Sequence, residues 1–220
     1  MVAAGALMLS LVIATINAYY AMRGPEVVLQ PPDQILLYRD GEGEYAVLTV
    51  AAPILIINAS SAEHGDVMVE ATLKAGEHGG RYRYATLVQP IFTEDARAAR
   101  EKCEVGVRCI VFDDLVVVER TDEIVDVPGG SAKSRYLAFH LVPPNCQGSK
   151  AECARFPDYR RSLAAIDNRP FEVEIKVDFH SDGSRTVVCR APKADLSYLK
   201  EVGWTALPCV VADVRGDRLL

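Results

Sequence analysis

The residues with the most chemistry to offer in this chain are its six cysteines, Cys103, Cys109, Cys146, Cys153, Cys189 and Cys209. Thiols in such a number either pair as disulfides or, as thiolates, hold zinc. Cys103 and Cys109 flank a short glycine-containing loop, Cys146 and Cys153 flank another, and Cys189 and Cys209 bracket a predicted C-terminal helix. Closure between nearest neighbours is the simplest of the pairings that six cysteines allow. Each bridge would restrict the unfolded chain and contribute ~2 to 4 kcal/mol. Zinc is the rival reading, but the spacings contain no C-x-x-C knuckle, and an even thiol count suits an oxidising compartment. No metal site is assigned on this basis.

The histidines are His64, His78, His140 and His180. His64 and His78 stand beside glycines in predicted loops, where the ordinary role is a solvated side chain; His140 continues the run Tyr136-Leu137-Ala138-Phe139, and His180 ends a predicted hairpin strand. There is no H-x-x-x-H or H-x-H pair, so a local metal pair is not encoded, while a site assembled at long range stays open. For nucleophilic catalysis, Gly129-Gly130-Ser131-Ala132-Lys133 lacks the second glycine of G-x-S-x-G. Ser197-Tyr198-Leu199-Lys200 fits S-x-x-K, but neither S-D-N nor K-T-G accompanies it. Asp113-Asp114 is a pair of adjacent carboxylates, and neighbours on a strand point to opposite faces, so they would not converge on one substrate. No glycine-rich phosphate loop is present. The sequence therefore assigns no catalytic residue and no cofactor. Asn58-Ala59-Ser60 is a formal glycosylation sequon. In the segment Leu196 to Trp204, Tyr198 and Trp204 are read as capping one end of the domain or, more sharply, as candidate partner contacts.

The net charge of −6 and the pI near 5.3 argue against nucleic acid as a partner, because phosphate binding needs clustered Lys and Arg. Residues 2–22 hold no ionisable side chain, and their one strongly polar group is the Asn17 amide. A helix of ~20 apolar residues matches a bilayer core, with Tyr19 and Tyr20 at the interface and Gly24-Pro25 ending the helix. Residues 1–24 are accordingly expected to be a transmembrane anchor in contact with lipid. A cleaved signal is the alternative, but no Lys or Arg precedes the apolar run and Ile16-Asn17-Ala18 is a poor cleavage site. Arg23 alone weakly favours a cytoplasmic soluble part, whereas the six thiols favour the outside; the second is taken as the larger bias.

Beyond the anchor, 25–34 with its three prolines reads as an extended, stiff spacer, and 35–220 as one extracytoplasmic domain. Expected strands are Ile35–Tyr38, Tyr45–Val50, Ile54–Asn58, Val67–Leu73, Arg81–Val88, Cys109–Val118, Arg135–Val142 and Phe171–Phe179. Phe171 to Phe179 alternates five apolar with four charged residues, the pattern of a half-buried antiparallel strand. If Gly183 closes a three-residue loop, Val187 pairs with Val177 and Cys189 with Ile175 on the inner face; a two-residue loop would turn Thr186 and Val188 inward. Short helices are expected at Thr93 to Lys102 and around Tyr159 to Ala165.

Many short strands joined by Gly, Pro and Asp turns, with few helices, indicate a mainly β, antiparallel sandwich with short helical insertions. The run Leu48 to Leu73 resembles the paired strands of immunoglobulin-like domains in membrane-anchored bacterial proteins, and Pro128-Gly129-Gly130-Ser131 before Arg135 to Phe139 is similar to a turn-and-strand step in the same group. The likeness covers the middle half of the chain, lacks the buried Trp between two strand cysteines of antibody domains, and implies a fold without carrying a catalytic residue. The function expected is that of a single-pass, non-enzymatic accessory subunit that binds other membrane or extracytoplasmic proteins. The rivals are a membrane-tethered hydrolase or carbohydrate-binding protein with a site assembled from distant residues, and a secreted binding domain released by cleavage after Ala18.

Overall fold

The computed structural model of the chain describes residues 10–16, 18–19, 24–41, 46–75, 81–92, 103, 107–120, 124–141, 163 and 166–210. Twelve strands carry the fold: β1 (Val27–Gln30), β2 (Gln34–Asp40), β3 (Val47–Asn58), β4 (Asp66–Ala75), β5 (Arg81–Phe92), β6 (Cys109–Val111), β7 (Leu115–Arg120), β8 (Asp126–Val127), β9 (Ser131–Leu141), β10 (Phe171–Phe179), β11 (Gly183–Ala191) and β12 (Trp204–Pro208). They form one sheet of antiparallel pairs with the path β11-β10-β4-β5-β9-β3-β2-β12. The expectation of a mainly β, antiparallel fold holds.

The sheet curls until its two edges meet. Val210, just past β12, donates its N–H to the Arg190 carbonyl of β11 at 2.7 Å, and Arg185 of β11 donates Nε–H to the Val27 carbonyl of β1 at 2.8 Å. The odd residues of β10 and the even residues of β3 then face one interior, where Ile54, Leu73, Leu137, Phe139, Val173 and Ile175 are all fully buried. Alternation makes this possible, because every second side chain of a pleated strand points to the same face.

Part of the sheet is buried on its other face as well. β5 pairs with β9 as far as Val88, then continues to Phe92 paired with β7, and a register shift between Tyr84 and Thr86 marks the divergence. The β6–β7 hairpin is thereby laid over the outer face of β2, β3 and β9, where Phe112, Leu115 and Val117 pack on Leu36, Tyr38, Ala51 and Ala138. This two-sided burial explains the unbroken apolar runs Ile35-Leu36-Leu37-Tyr38 and Leu115-Val116-Val117-Val118.

Several expectations need correction. The segment 25–34 is extended, but Val27–Gln30 is a strand paired with the far half of β3, and Val27 and Leu29 enter the core, so it is an integral part of the sheet. The strands expected at Tyr45–Val50 and Ile54–Asn58 are one strand. Along one edge of β3 the pairing with β2 runs through Ala51 and that with β1 starts at Leu55, so Pro53 falls where its missing N–H breaks no pairing on that edge. The strand expected at Cys109–Val118 is a hairpin that turns at Phe112–Asp114.

In the β10–β11 hairpin Gly183 takes a left-handed φ of 73°, and Val187 and Cys189 face inward as expected. Their partners are Ile175 and Val173, two residues from the expected register. The turn sits one residue earlier because the Asp66 carboxylate accepts N–H bonds from Ser181 at 3.0 Å and Asp182 at 2.9 Å.

Residues 10–16 and 18–19 are helical, with Leu11, Val12, Ile13 and Ile16 exposed. No helix among the described residues is long and apolar enough to cross a membrane. The rest of 2–22, the helix expected at Thr93 to Lys102, His78, Cys146 and Cys153 lie outside the described residues, and of the turn around Tyr159 to Ala165 only Leu163 is described, as helical.

Candidate functional site

Two of the expected bridges are present. Cys103 pairs with Cys109 across a Cα separation of 6.2 Å, closing the entry to β6, and Cys189 pairs with Cys209 across 5.0 Å, tying β11 to the residue after β12. Both are nearest-neighbour closures. Among the described residues no group of His, Cys, Asp and Glu is placed to hold a metal ion.

The candidate partner contacts Tyr198 and Trp204 come together at the end of the molecule covered by the β6–β7 hairpin. Asp195 accepts an N–H bond from Ser197 at the start of the short helix Ser197–Glu201, and Gly203 ends that helix through its N–H bond to the Leu199 carbonyl at 3.1 Å. Gly203 has a φ of 100°, and a Cβ there would come within 2.8 Å of Phe112 Cε1, so only glycine lets the chain pass under the hairpin and place Trp204 on β12. Trp204 stacks edge-on with Tyr198 at a centroid distance of 5.4 Å and tilted against Phe92 at 5.7 Å.

Asp114 fixes two of the three rings. One of its oxygens accepts from Tyr198 Oη and the other from Trp204 Nε1, both at 2.7 Å. That hydrogen bond to the Asp114 carboxylate, together with desolvation and the charges of Asp114, Asp113 and Glu201, raises the Tyr198 pKa above its ordinary value. Asp113 and Asp114 thus sit in a turn, not on a strand, and only Asp114 is directed at the rings. Phe92 remains 53% exposed and Tyr198 40% exposed, and Trp204 between them is half-buried.

Beside this trio lies an open cleft of about 600 Å³ lined by Arg39, Asp40, Arg108, Ile110, Asp113 and Glu201 among others. Two of these residues, Asp40 and Arg108, belong to a polar cluster that no spacing in the sequence announces. Arg108 bridges two buried carboxylates, Asp40 at 2.6 Å and Glu119 at 3.1 Å, and His140 Nε2 lies 3.4 Å from the second oxygen of Asp40. One guanidinium serves the two acids unequally. Burial pushes the Asp40 pKa up, but the His140 contact and the Arg108 charge outweigh it, and the net shift is downward. For Glu119 burial dominates over Arg108, with Asp40 adding repulsion, and its pKa is raised. A faint signal existed: Asp40 and Glu119 each stand just beyond an unbroken apolar run, Ile35–Tyr38 and Leu115–Val118, and Arg108 adjoins a bridged cysteine.

The other sequence candidates are dispersed. Ser197 donates its hydroxyl to Asp195 at 2.7 Å while Lys200 pairs with Asp167, so the S-x-x-K residues are turned to separate carboxylates. Asn58 of the sequon is buried, and its amide donates to the carbonyls of His64 at 2.8 Å and Val127 at 2.9 Å, which leaves no accessible nitrogen for a glycan. His180 is an exposed residue of the β10–β11 turn. Comparison of the chain with protein-family models, with curated proteins and with solved structures finds no match in any of the three.

Proposed function

We propose that the protein is a single-pass, membrane-anchored accessory subunit whose extracytoplasmic β domain binds another protein without catalysing a reaction. The observation that carries this reading is the Phe92–Trp204–Tyr198 surface: two rings held by one carboxylate, a third packed on the tryptophan, and Phe92 and Tyr198 left exposed to solvent. Aromatic side chains that are already fixed lose little entropy on binding and dominate interface energetics. The exposed apolar residues Leu11, Val12, Ile13 and Ile16 on a helix support the anchor, since such a stripe lacks protein cover and suits lipid. The disulfides support an oxidising, extracytoplasmic location. For the architecture, the proposal keeps the immunoglobulin-like sandwich in this sense: β4, β10 and β11 face β9, β3 and β2 across the inner core. The test is extraction of the tagged protein from its native membranes in mild detergent. Recovery of one reproducible companion, reduced with Phe92→Ala, supports the reading; recovery as a lone monomer from the soluble fraction overturns it.

A second reading, a tethered hydrolase, draws on His140 beside Asp40, next to the cleft. It ranks second because Asp40 and Glu119 are both buried and both committed to Arg108, so the charges close on themselves.

A further inference from the structure

We infer that the Phe92–Trp204–Tyr198 surface receives an arginine-bearing segment of the partner protein, its guanidinium lying flat on the exposed rings and its charge met by Asp113 and Glu201. This inference rests on the protein-binding reading above and adds the chemistry of the partner. Asp113 adjoins Asp114 in the turn, Glu201 lies one helical turn from Tyr198, and the charges of all three carboxylates act on Tyr198. Asp114 is spent on the two ring donors, whereas Asp113 and Glu201 have no ion-pair partner among the described residues. Two of the cations nearby are turned elsewhere: Lys200 pairs with Asp167, and Arg108 bridges Asp40 and Glu119. The third, Arg39, lines the same cleft as Asp113 and Glu201, with its backbone N–H on the Gly203 carbonyl at 2.8 Å, so one guanidinium stands against three carboxylates.

An aromatic face whose described border carries more carboxylates than cations is the complement of a planar cation. Ring faces carry negative quadrupole potential and attract guanidinium groups, which also stack, while the border carboxylates offer the fork–fork geometry that arginine fits better than lysine. The same border repels anionic phospholipid headgroups, which argues against this face resting on the bilayer.

Trp204 is the only tryptophan in the chain, so selectively excited tryptophan emission reports on this surface alone. The full-length protein in neutral detergent is titrated with a blocked Leu-Arg-Leu-Arg peptide, with its lysine and glutamate counterparts, and with phosphatidylcholine and phosphatidylglycerol vesicles. The expected result is a saturable change with the arginine peptide, weaker with lysine, absent with glutamate and weakened by salt. Asp113→Asn combined with Glu201→Gln should reduce the affinity by about fivefold to tenfold, as two partly exposed charge pairs would. Both residues are exposed, so the double variant is expected to fold. No saturable change with the arginine peptide, an equal response to the glutamate peptide, or a response to vesicles alone would overturn the inference. If any of these occurs while Phe92→Ala still loses the companion from membranes, the arginine chemistry fails and the protein-binding reading stands.

Discussion

The β2–β3–β9 part of the sheet is covered on both faces, and the two covers differ in kind. Inside, the sheet covers itself: β10 and β11 come round, the Cys189–Cys209 bridge and the Val210–Arg190 hydrogen bond join the edges, and the middle of the interior is aliphatic and aromatic. Outside, one short hairpin forms the cover. It is held along β5, by the Arg108 bridge to Asp40 of β2, and by Asp114 on Tyr198 and Trp204, while Arg108–Glu119 ties the hairpin's own two arms. Polar links lie at both margins of the outer cluster, and those margins are where the cleft and the aromatic surface occur. The difference teaches where function can reside. A closed, apolar interior stabilises the chain but presents nothing, whereas a hairpin cover held by charges leaves groups that are ordered and still exposed.

The largest expected effect tests whether the covers are separate units. Phe139 is fully buried in the inner cluster, and Phe139→Ala should cost about 3 to 5 kcal/mol, lowering protection from amide exchange in all strands together. Leu115, equally buried in the outer cluster, should cost about 2 to 5 kcal/mol as Leu115→Ala, but with exchange rising first in Cys109–Arg120. If β7 and β10 lose protection in parallel in both variants, the hairpin is not a separate unit.

The two bridges sharpen the comparison with a smaller effect. Closing the longer loop, with a separation of 20 residues, Cys189–Cys209 should contribute about 3 kcal/mol, against about 2 kcal/mol for Cys103–Cys109 with a separation of 6. Cys189 is fully buried and Cys103 partly exposed. Mild dithiol treatment followed by alkylation should therefore label Cys103 and Cys109 first. Labelling of Cys189 ahead of them would show that the edge closure, not the hairpin, is the weaker point.

How much of this could be read from the sequence depends on the range of the interaction. Phe171–Phe179 was legible to the residue, since a period of two over nine residues with a turn after it has one reading. The nearest-neighbour bridges at Cys103–Cys109 and Cys189–Cys209 were legible because chain proximity favours them. The hairpin cover was not, because Leu115-Val116-Val117-Val118 buries both faces and so loses the alternation that tells a strand which side it shows. Nor was the register at Gly183, which is set by Asp66, more than a hundred residues away. Tyr198 and Trp204 could be singled out as aromatics near the C-terminal end, yet Phe92 and Asp114, on distant segments, complete their surface. Asp40, Arg108, Glu119 and His140 come from four separate strands and loops, and no spacing could have joined them.

The smallest effects come from the two acids on Arg108, and they should have opposite signs in pH. The Asp40 pKa is lowered in the fold, so its ionised form stabilises the native state above the unfolded carboxylate pKa, and that contribution is lost as pH falls through the folded value. The Glu119 pKa is raised, so its contribution is fully present below the unfolded pKa and is lost as pH rises through the folded value. At neutral pH, Asp40→Asn should cost about 2 kcal/mol, because a buried partner of Arg108 and His140 loses its charge. Glu119→Gln should change stability by less than about 1 kcal/mol, since a buried charge is removed together with half of a shared ion pair. Urea unfolding at a series of pH values between about 2.5 and 7 reads both, Asp40 at the acid end, at and below the ordinary carboxylate value, and Glu119 above it. Asp40→Asn should flatten the acid-side loss of stability and Glu119→Gln should steepen it. Equal costs for the two variants, with parallel pH profiles, would mean that Arg108 holds both carboxylates alike and that its bridge to Asp40 of β2 fastens the cover no more strongly than the bridge to Glu119 ties the hairpin's own arms.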